Sequence, residues 1–270
     1  ALLVFGIGKA AIMPIHRWLP AAMVAPTPVS ALLHAVAVVK AGVFSFLVVV
    51  VYIIGPEYLF ESKASDWLIW LASFTILASS IIAISKDDLK ARLAYSTISQ
   101  LSYIILGAAL ATTFAIKGAS FHIITHAIGK ITLFFCAGAI YVTAHVKKIS
   151  QLNGLGYKTP LIFFAYTLGA LSIIGVPPFV GSWSKFYLIL GSLEAEYLFV
   201  AIILGISSLL NIYYLLEPVF VGFRKKLTKD IHLTNAPLAV WPPVVTGLGC
   251  LVLFFFANYF DEIINGVLFL

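Results

Sequence analysis

Lys9, Lys40, Lys130 and Lys185 each sit inside a long apolar stretch, and Lys130 completes a series with His122 and His126 at i, i+4 and i+8. That spacing stacks the three side chains on one face of a helix. An ammonium group near the centre of a bilayer costs roughly 2.5–3.5 kcal/mol on insertion scales, so it persists where it faces a polar interior, pairs, or gives up its proton. Histidine titrates near neutral pH, and lysine is a side chain whose proton affinity responds strongly to its surroundings. A face made of such groups passes protons with intervening water. His34 and Lys40 add two further titratable groups, six residues apart and therefore on different sides of their helix. Ser30, at i−4, is placed to orient the His34 ring, and Thr125 and Thr132 bring hydroxyls near the His122–Lys130 face. The plain alternative is a pair of core histidines bonded to carbonyls plus a lysine that snorkels to the interface. Lys130 lies mid-span, which makes snorkelling difficult. A metal site at His122 and His126 lacks a third ligand, so none is expected.

These residues need a membrane to hold them. Of 270 residues, 61% are apolar and 10% charged, with a mean hydropathy of +1.05, whereas a soluble domain carries about 25% charged residues. The net charge of +6 does not indicate nucleic acid, because the basic residues cluster in short loops between apolar runs. Cys136 and Cys250 fall within such runs and suggest neither a disulfide nor a metal site. Runs of about 20 apolar residues predict an opening segment over 1–15 and seven spans over 28–55, 67–85, 91–112, 118–144, 160–191, 196–222 and 236–260. The expected fold class is an all-α, polytopic transmembrane bundle. Alternate loops hold Arg17, then Lys86, Lys90 and Arg92, then Lys147, Lys148 and Lys158, then Arg224, Lys225, Lys226 and Lys229. The opposite loops hold only Lys63 and Lys117 as basic residues, with Glu57, Glu61, Asp66, Glu194, Glu196, Asp261 and Glu262. This bias puts the first face inside and both chain ends on the outer face. The chain opens mid-helix without Met, so it reads as the C-terminal portion of a longer polypeptide.

Two segments carry helix breakers in mid-membrane. The first runs GIGKAAIMPIHRWLP, with Lys9 ahead of Pro14; the second runs GALSIIGVPPFVGSWSKFYLIL, with Gly175, Pro177, Pro178 and Gly181 ahead of Lys185. Proline opens a helix by removing a donor and clashing with the preceding turn. The freed backbone groups are tolerated only inside protein or against a cavity. Paired broken helices of opposite direction mark inverted-repeat transporters that handle ions at the breaks. A proline kink used for packing explains one such break less readily when a lysine accompanies both. Within the spans the only acidic residue is Glu217, so Lys9 has no carboxylate candidate in this chain. RLAYSTISQLSYIILG adds a softer polar set, Tyr95, Ser96, Thr97, Ser99, Gln100 and Ser102, whose serines read as helix-packing glue.

GKAAIMPIHRWLPAAMVAPTPVSALLHAVAVVKAGV resembles the signature stretch of the proton-conducting antiporter-like subunits of respiratory complex I, Mrp-type sodium/proton antiporters and membrane-bound hydrogenases. RLAYSTISQLSYIILG, FHIITHAIGKITLFF and GVPPFVGSWSKF resemble that family's further landmarks in the same order, so the resemblance covers nearly the whole chain. It implies a fold of fourteen helices with two inverted five-helix repeats. Residues 1–55 would end the first repeat, 56–222 would form the second, and 223–270 would hold a C-terminal transmembrane helix. By the same resemblance, Lys9 matches the lysine of a broken helix paired with a glutamate outside this chain. His34 and Lys40 match positions that continue a central axis; His122, His126 and Lys130 match the helix whose lysine passes protons onward. Lys185 matches the exit-side charge of the second broken helix. LLHAVAVVKAGVF most resembles D-type Mrp subunits and their hydrogenase and complex I relatives.

The expected function is therefore a proton-translocating membrane subunit, with or without sodium exchange, in a multisubunit complex of a prokaryotic cell membrane. Its partners would be other membrane subunits, protons, sodium and the lipid bilayer, not nucleic acid. No cofactor motif is present, and redox chemistry would belong to partner subunits. Two other functions compete: a transporter whose broken helices cradle an organic substrate, and a structural subunit without an ion path of its own.

Overall fold

The structure is a computed structural model that describes residues 8–224 and 233–268. Lipid offers no hydrogen bonds to a backbone, so long apolar runs are driven into helices that satisfy their own amides. Six helices among the described residues have the length and composition to cross a membrane: α1 (Thr27–Ile54), α2 (Asp66–Ile84), α3 (Leu89–Leu110), α4 (Thr113–Ala144), α7 (Leu198–Gly222) and α8 (Pro237–Gly266). Two shorter helices, α5 (Pro160–Ile174) and α6 (Gly181–Glu194), together make the remaining crossing. The chain is thus an all-α, multi-pass integral membrane bundle. The expected spans correspond to these elements with shifted ends; the last helix runs further, and α4 begins earlier.

The most polar helix is the most enclosed. α3 has the lowest hydropathy of the six, yet 94% of its most apolar window is buried, against 22% for α8. Ser96, Thr97, Ser99, Gln100 and Ser102 all lie in its buried surface. Large apolar side chains point outward from the surrounding helices, including Trp70 and Phe74 of α2, Leu209 and Phe220 of α7, and Phe255 of α8. Such an outer surface suits lipid tails, and the polar centre suits neither lipid nor dry packing.

The predicted break in the 160–191 segment is present. α5 ends at Gly175, whose φ of +86° places it in the left-handed region that glycine enters without steric cost. Its amide bonds back to Leu171 O and Ser172 O before α6 starts at Gly181. The two halves approach so closely that a Cβ on Gly181 would fall 1.8 Å from Ser172 O. Both halves pack along α4, with Gly169 against Thr132 and Gly191 against Ala115. The opening segment also leaves helical geometry after Lys9: a short 3-10 turn over Gly8–Ala10 is followed by Ala11 at φ 54°. Residues 1–7 of that segment lie outside the described residues.

α1 departs from the single regular helix expected over 28–55. It contains two π-helical stretches, Leu32–Val36 and Val49–Ile54, with Ala37 N bonding to Leu32 O at 3.0 Å. A π turn inserts one residue into the helical register, and such turns recur at functional positions.

The loops sort into two ends as the charge bias predicts. At the basic end, Asp87 O receives Ile149 N and Lys147 O receives Leu89 N, while Lys90 Nζ donates to Ala25 O at 2.6 Å. Arg92 is not a loop charge, as the sequence suggested, but a buried one. It pairs with Glu217 and donates to Ile84 O, Lys86 O and Tyr214 O. At the acidic end, Tyr197 donates to Asp66 Oδ1, Ser65 to Ala109 O, and Lys117 pairs with Asp261 at 3.1 Å. Lys225, Lys226 and Lys229 lie outside the described residues.

Candidate functional site: an intramembrane row of lysines and histidines

α4 carries the row as its spacing requires. His122, His126 and Lys130 are all buried, and the two imidazole centroids are 5.9 Å apart. His122 Nδ1 meets Ser184 Oγ of α6 at 2.9 Å, and its ring stacks on Tyr103 of α3 at 5.3 Å and 14°. Thr125 adds its hydroxyl to Ser184 at 3.4 Å; Thr132 turns the other way, to Ile128 O.

The helix break explains where Lys185 is held. The last carbonyls of a helix lack intrahelical partners, and Ile174 ends α5. Lys185 Nζ fills that need, donating to Ile174 O at 2.7 Å and to Ser208 Oγ of α7 at 2.9 Å. The same ammonium stands 5.4 Å from the centre of the Tyr103 ring. Tyr103 therefore touches both His122 and Lys185, and joins the α4 row to the break.

At the other end of the row, Lys130 Nζ donates to Ser96 Oγ at 2.6 Å and lies 3.4 Å from Leu93 O. Two groups approach from α1. Lys40 is buried within Coulombic reach of Lys130 and His126. His34 also reaches Lys130, and its ring packs 5.1 Å from Phe134. Ser30 does not orient His34, because its hydroxyl is spent on Ala25 O. Among the described residues, Lys40 Nζ, both nitrogens of His34 and of His126, and His122 Nε2 are buried without a protein hydrogen bond. Buried polar atoms are nearly always satisfied, so a line of unpaired nitrogens is unusual and suits a path that exchanges protons with water.

Six of the seven expected residues are thus gathered around α4. The seventh, Lys9, is not: its side chain is exposed. Its backbone, however, crosses α1 at Gly42, where a Cβ would fall 2.8 Å from Lys9 C. No carboxylate among the described residues joins the row. The two ion pairs among the described residues, Arg92–Glu217 and Lys117–Asp261, lie at opposite ends of the bundle. No group of three His, Cys, Asp or Glu among the described residues has the arrangement of a metal site.

Several partners escaped the sequence. Ser96 reads as a packing residue in the sequence, but it receives Lys130; Gln100, part of the same polar set, is buried with both amide atoms unpaired among the described residues. Tyr103, Ser184, Ser208, Asn211 and Tyr214 drew no role. A signal existed in ISSLLNIYY, where two serines and an asparagine interrupt an otherwise apolar span.

A family model described as NADH:quinone oxidoreductase/Mrp antiporter, TM, matches residues 1–211. NADH-quinone oxidoreductase subunit N of Desulforudis audaxviator (strain MP104C) is 35% identical over 285 residues, covering 98% of this chain and 55% of that protein. NADH-quinone oxidoreductase subunit L of Mycobacterium tuberculosis (strain ATCC 25618 / H37Rv) is 34% identical over 258 residues, covering 92% of this chain and 39% of that protein. The chain therefore spans about half or less of the length of these relatives. The fold also matches a chain in the Mrp complex from Dietzia sp. DQ12-45-1b, with a TM-score of 0.88, 22% identity, and coverage of 98% of this chain and 57% of that one. A chain of the membrane-bound sulfane sulfur reductase, an archaeal respiratory membrane complex, matches with a TM-score of 0.86, 24% identity, and coverage of 98% and 54%. These relatives are subunits of multisubunit membrane complexes. On the family match and the identities together, this chain belongs to the transmembrane family of NADH:quinone oxidoreductase and Mrp antiporter subunits.

Proposed function

We propose that this chain forms part of a proton-translocating subunit in a multisubunit respiratory or antiporter complex of a prokaryotic cell membrane. The observation that carries this reading is the buried row Lys40, Lys130, His126, His122 and Lys185, which spans α1, α4 and α6 with no carboxylate among the described residues. In it, Lys130 exchanges protons with the histidines beside it, and Lys185 at the helix break is the outlet. Like charges within Coulombic reach disfavour one another. A proton arriving at Lys40 or Lys130 therefore drives another away, and the row moves charge stepwise instead of storing it. His34 extends the row along α1. Lys9 serves as the entry-side switch, paired with a carboxylate supplied from outside these residues. The division into 1–55, 56–222 and 223–270 as repeat end, second repeat and terminal helix belongs to this reading. Exchange for sodium is a further arm of it.

The test is Lys130→Ala in the full-length protein with its native partners, assayed as proton uptake into inverted membrane vesicles. Flux should be abolished while the complex still assembles. Normal uptake in that variant would falsify the proposal. A variant that assembles poorly but keeps normal flux per assembled complex would favour a structural role. Running the wild-type assay with and without a sodium gradient decides the sodium arm.

A further inference from the structure

Lys130 and Lys185 are joined a second time, by side chains that are not on the histidine face. On one side, Lys130 Nζ donates to Ser96 Oγ at 2.6 Å, and Ser96 Oγ is 3.0 Å from the Tyr214 hydroxyl. That hydroxyl also contacts Asn211 Oδ1. On the other side, Lys185 Nζ donates to Ser208 Oγ at 2.9 Å. Ser208 and Asn211 are three residues apart on α7, hence neighbours on its surface. Between them stands the Tyr103 hydroxyl, close to Ser207, Ser208 and Asn211 but making no complete hydrogen bond among the described residues.

Donor bookkeeping gives this chain a direction. A charged lysine only donates, and an amide oxygen only accepts. A phenol has one proton, and the Tyr214 hydroxyl is placed to donate it to either Ser96 Oγ or Asn211 Oδ1. While Ser96 accepts from charged Lys130, its own proton turns to Tyr214, whose proton then goes to Asn211 Oδ1. When Lys130 is neutral, its nitrogen gains a lone pair. Ser96 then turns to donate to Lys130, Tyr214 turns to donate to Ser96, and Asn211 Oδ1, having lost that donor, draws the Tyr103 hydroxyl as its replacement. No proton leaves the chain in this change; only O–H bonds rotate.

We propose that Ser96, Tyr214, Asn211, Tyr103 and Ser208 form a reversible hydrogen-bond chain that reports the charge of Lys130 to Lys185 through α7. Tyr214 is its central positioning residue. The inference rests on the proton-translocation reading above, and Lys130→Ala tests that reading separately.

Tyr214→Phe keeps the ring and removes the hydroxyl; Ser208→Ala removes the hydroxyl at the far end. Proton uptake per assembled complex should fall about threefold to tenfold in each, the rate equivalent of one lost neutral hydrogen bond. The double variant should fall no further than the weaker single. Two packing defects at sites without mutual contact would multiply instead, and multiplied losses overturn the chain. Unchanged flux in Tyr214→Phe, in a membrane where Lys130→Ala abolishes uptake, overturns it while leaving the function intact. Losses that follow the amount of assembled complex, with flux per complex normal, assign the residues to packing and overturn it as well.

Discussion

At the scale of single residues, Lys130 and Lys185, deep in the bundle, are held by neutral oxygens, whereas Arg92 and Lys117, nearer its ends, meet carboxylates. Lys130 has a serine and a carbonyl; Lys185 has a carbonyl and a serine. Arg92, at the basic end, has Glu217 and three carbonyls. Arg92→Met leaves all four acceptors without their donor at once, including Ile84 O at the C-terminus of α2. It should destabilise the protein more than Glu217→Gln, which costs about 1–3 kcal/mol because Glu217 is partly solvated; thermal unfolding in detergent ranks the two. Asp87 gives a pH prediction. Partial burial raises its carboxyl, but bonds from the Ser150 amide and hydroxyl, with Lys148 and Arg92 nearby, bring it below the usual carboxylate value. A lowered native value means the Asp87–Ser150 link stabilises above the ordinary carboxylate range and is lost as pH falls through the native one. Asp87→Asn should therefore flatten the acid side of the stability profile, as seen in unfolding midpoints across a pH series. The lysines and histidines of the row were legible in the sequence because charge in an apolar run is conspicuous. Their partners were not, because a serine or tyrosine in a membrane helix looks the same whether it packs or bonds.

At the scale of elements, the break between α5 and α6 was legible down to its residues. Gly175, the prolines and Gly181 announce a place where helix cannot continue. What they could not announce is that the break leaves Ile174 O unpaired, and that Lys185 is the group to take it. Gly181→Ala tests how tight this junction is. A methyl there would fall 1.8 Å from Ser172 O, so the half-helices must separate, at a cost of about 1–3 kcal/mol or more. Lys185 would then lose its carbonyl, so proton uptake should fall together with the unfolding midpoint. A Gly181→Ala protein with wild-type stability and flux would show that the junction is slack. The π turns of α1 were invisible in the sequence. Every residue around His34 suits an ordinary helix, and the wider turn there is packed against α4.

At the scale of the whole molecule, the two-ended charge pattern and the number of crossings follow from composition alone, since lipid admits few arrangements of backbone. Which helix sits in the middle does not. Hydropathy alone would put the least apolar span at the rim or out of the bilayer, yet α3 is the most enclosed of the six. That placement bears on how the chain enters a membrane. A segment carrying Lys90, Arg92, Gln100 and a run of serines is a poor candidate to partition into lipid alone, whereas α2 is apolar enough to lead. Their serines already meet, Ser80 with Ser99 at 3.0 Å. Biogenesis is thus expected to deliver α2 and α3 as one inserted hairpin, with α3 sheltered by its neighbour until the later helices close around it.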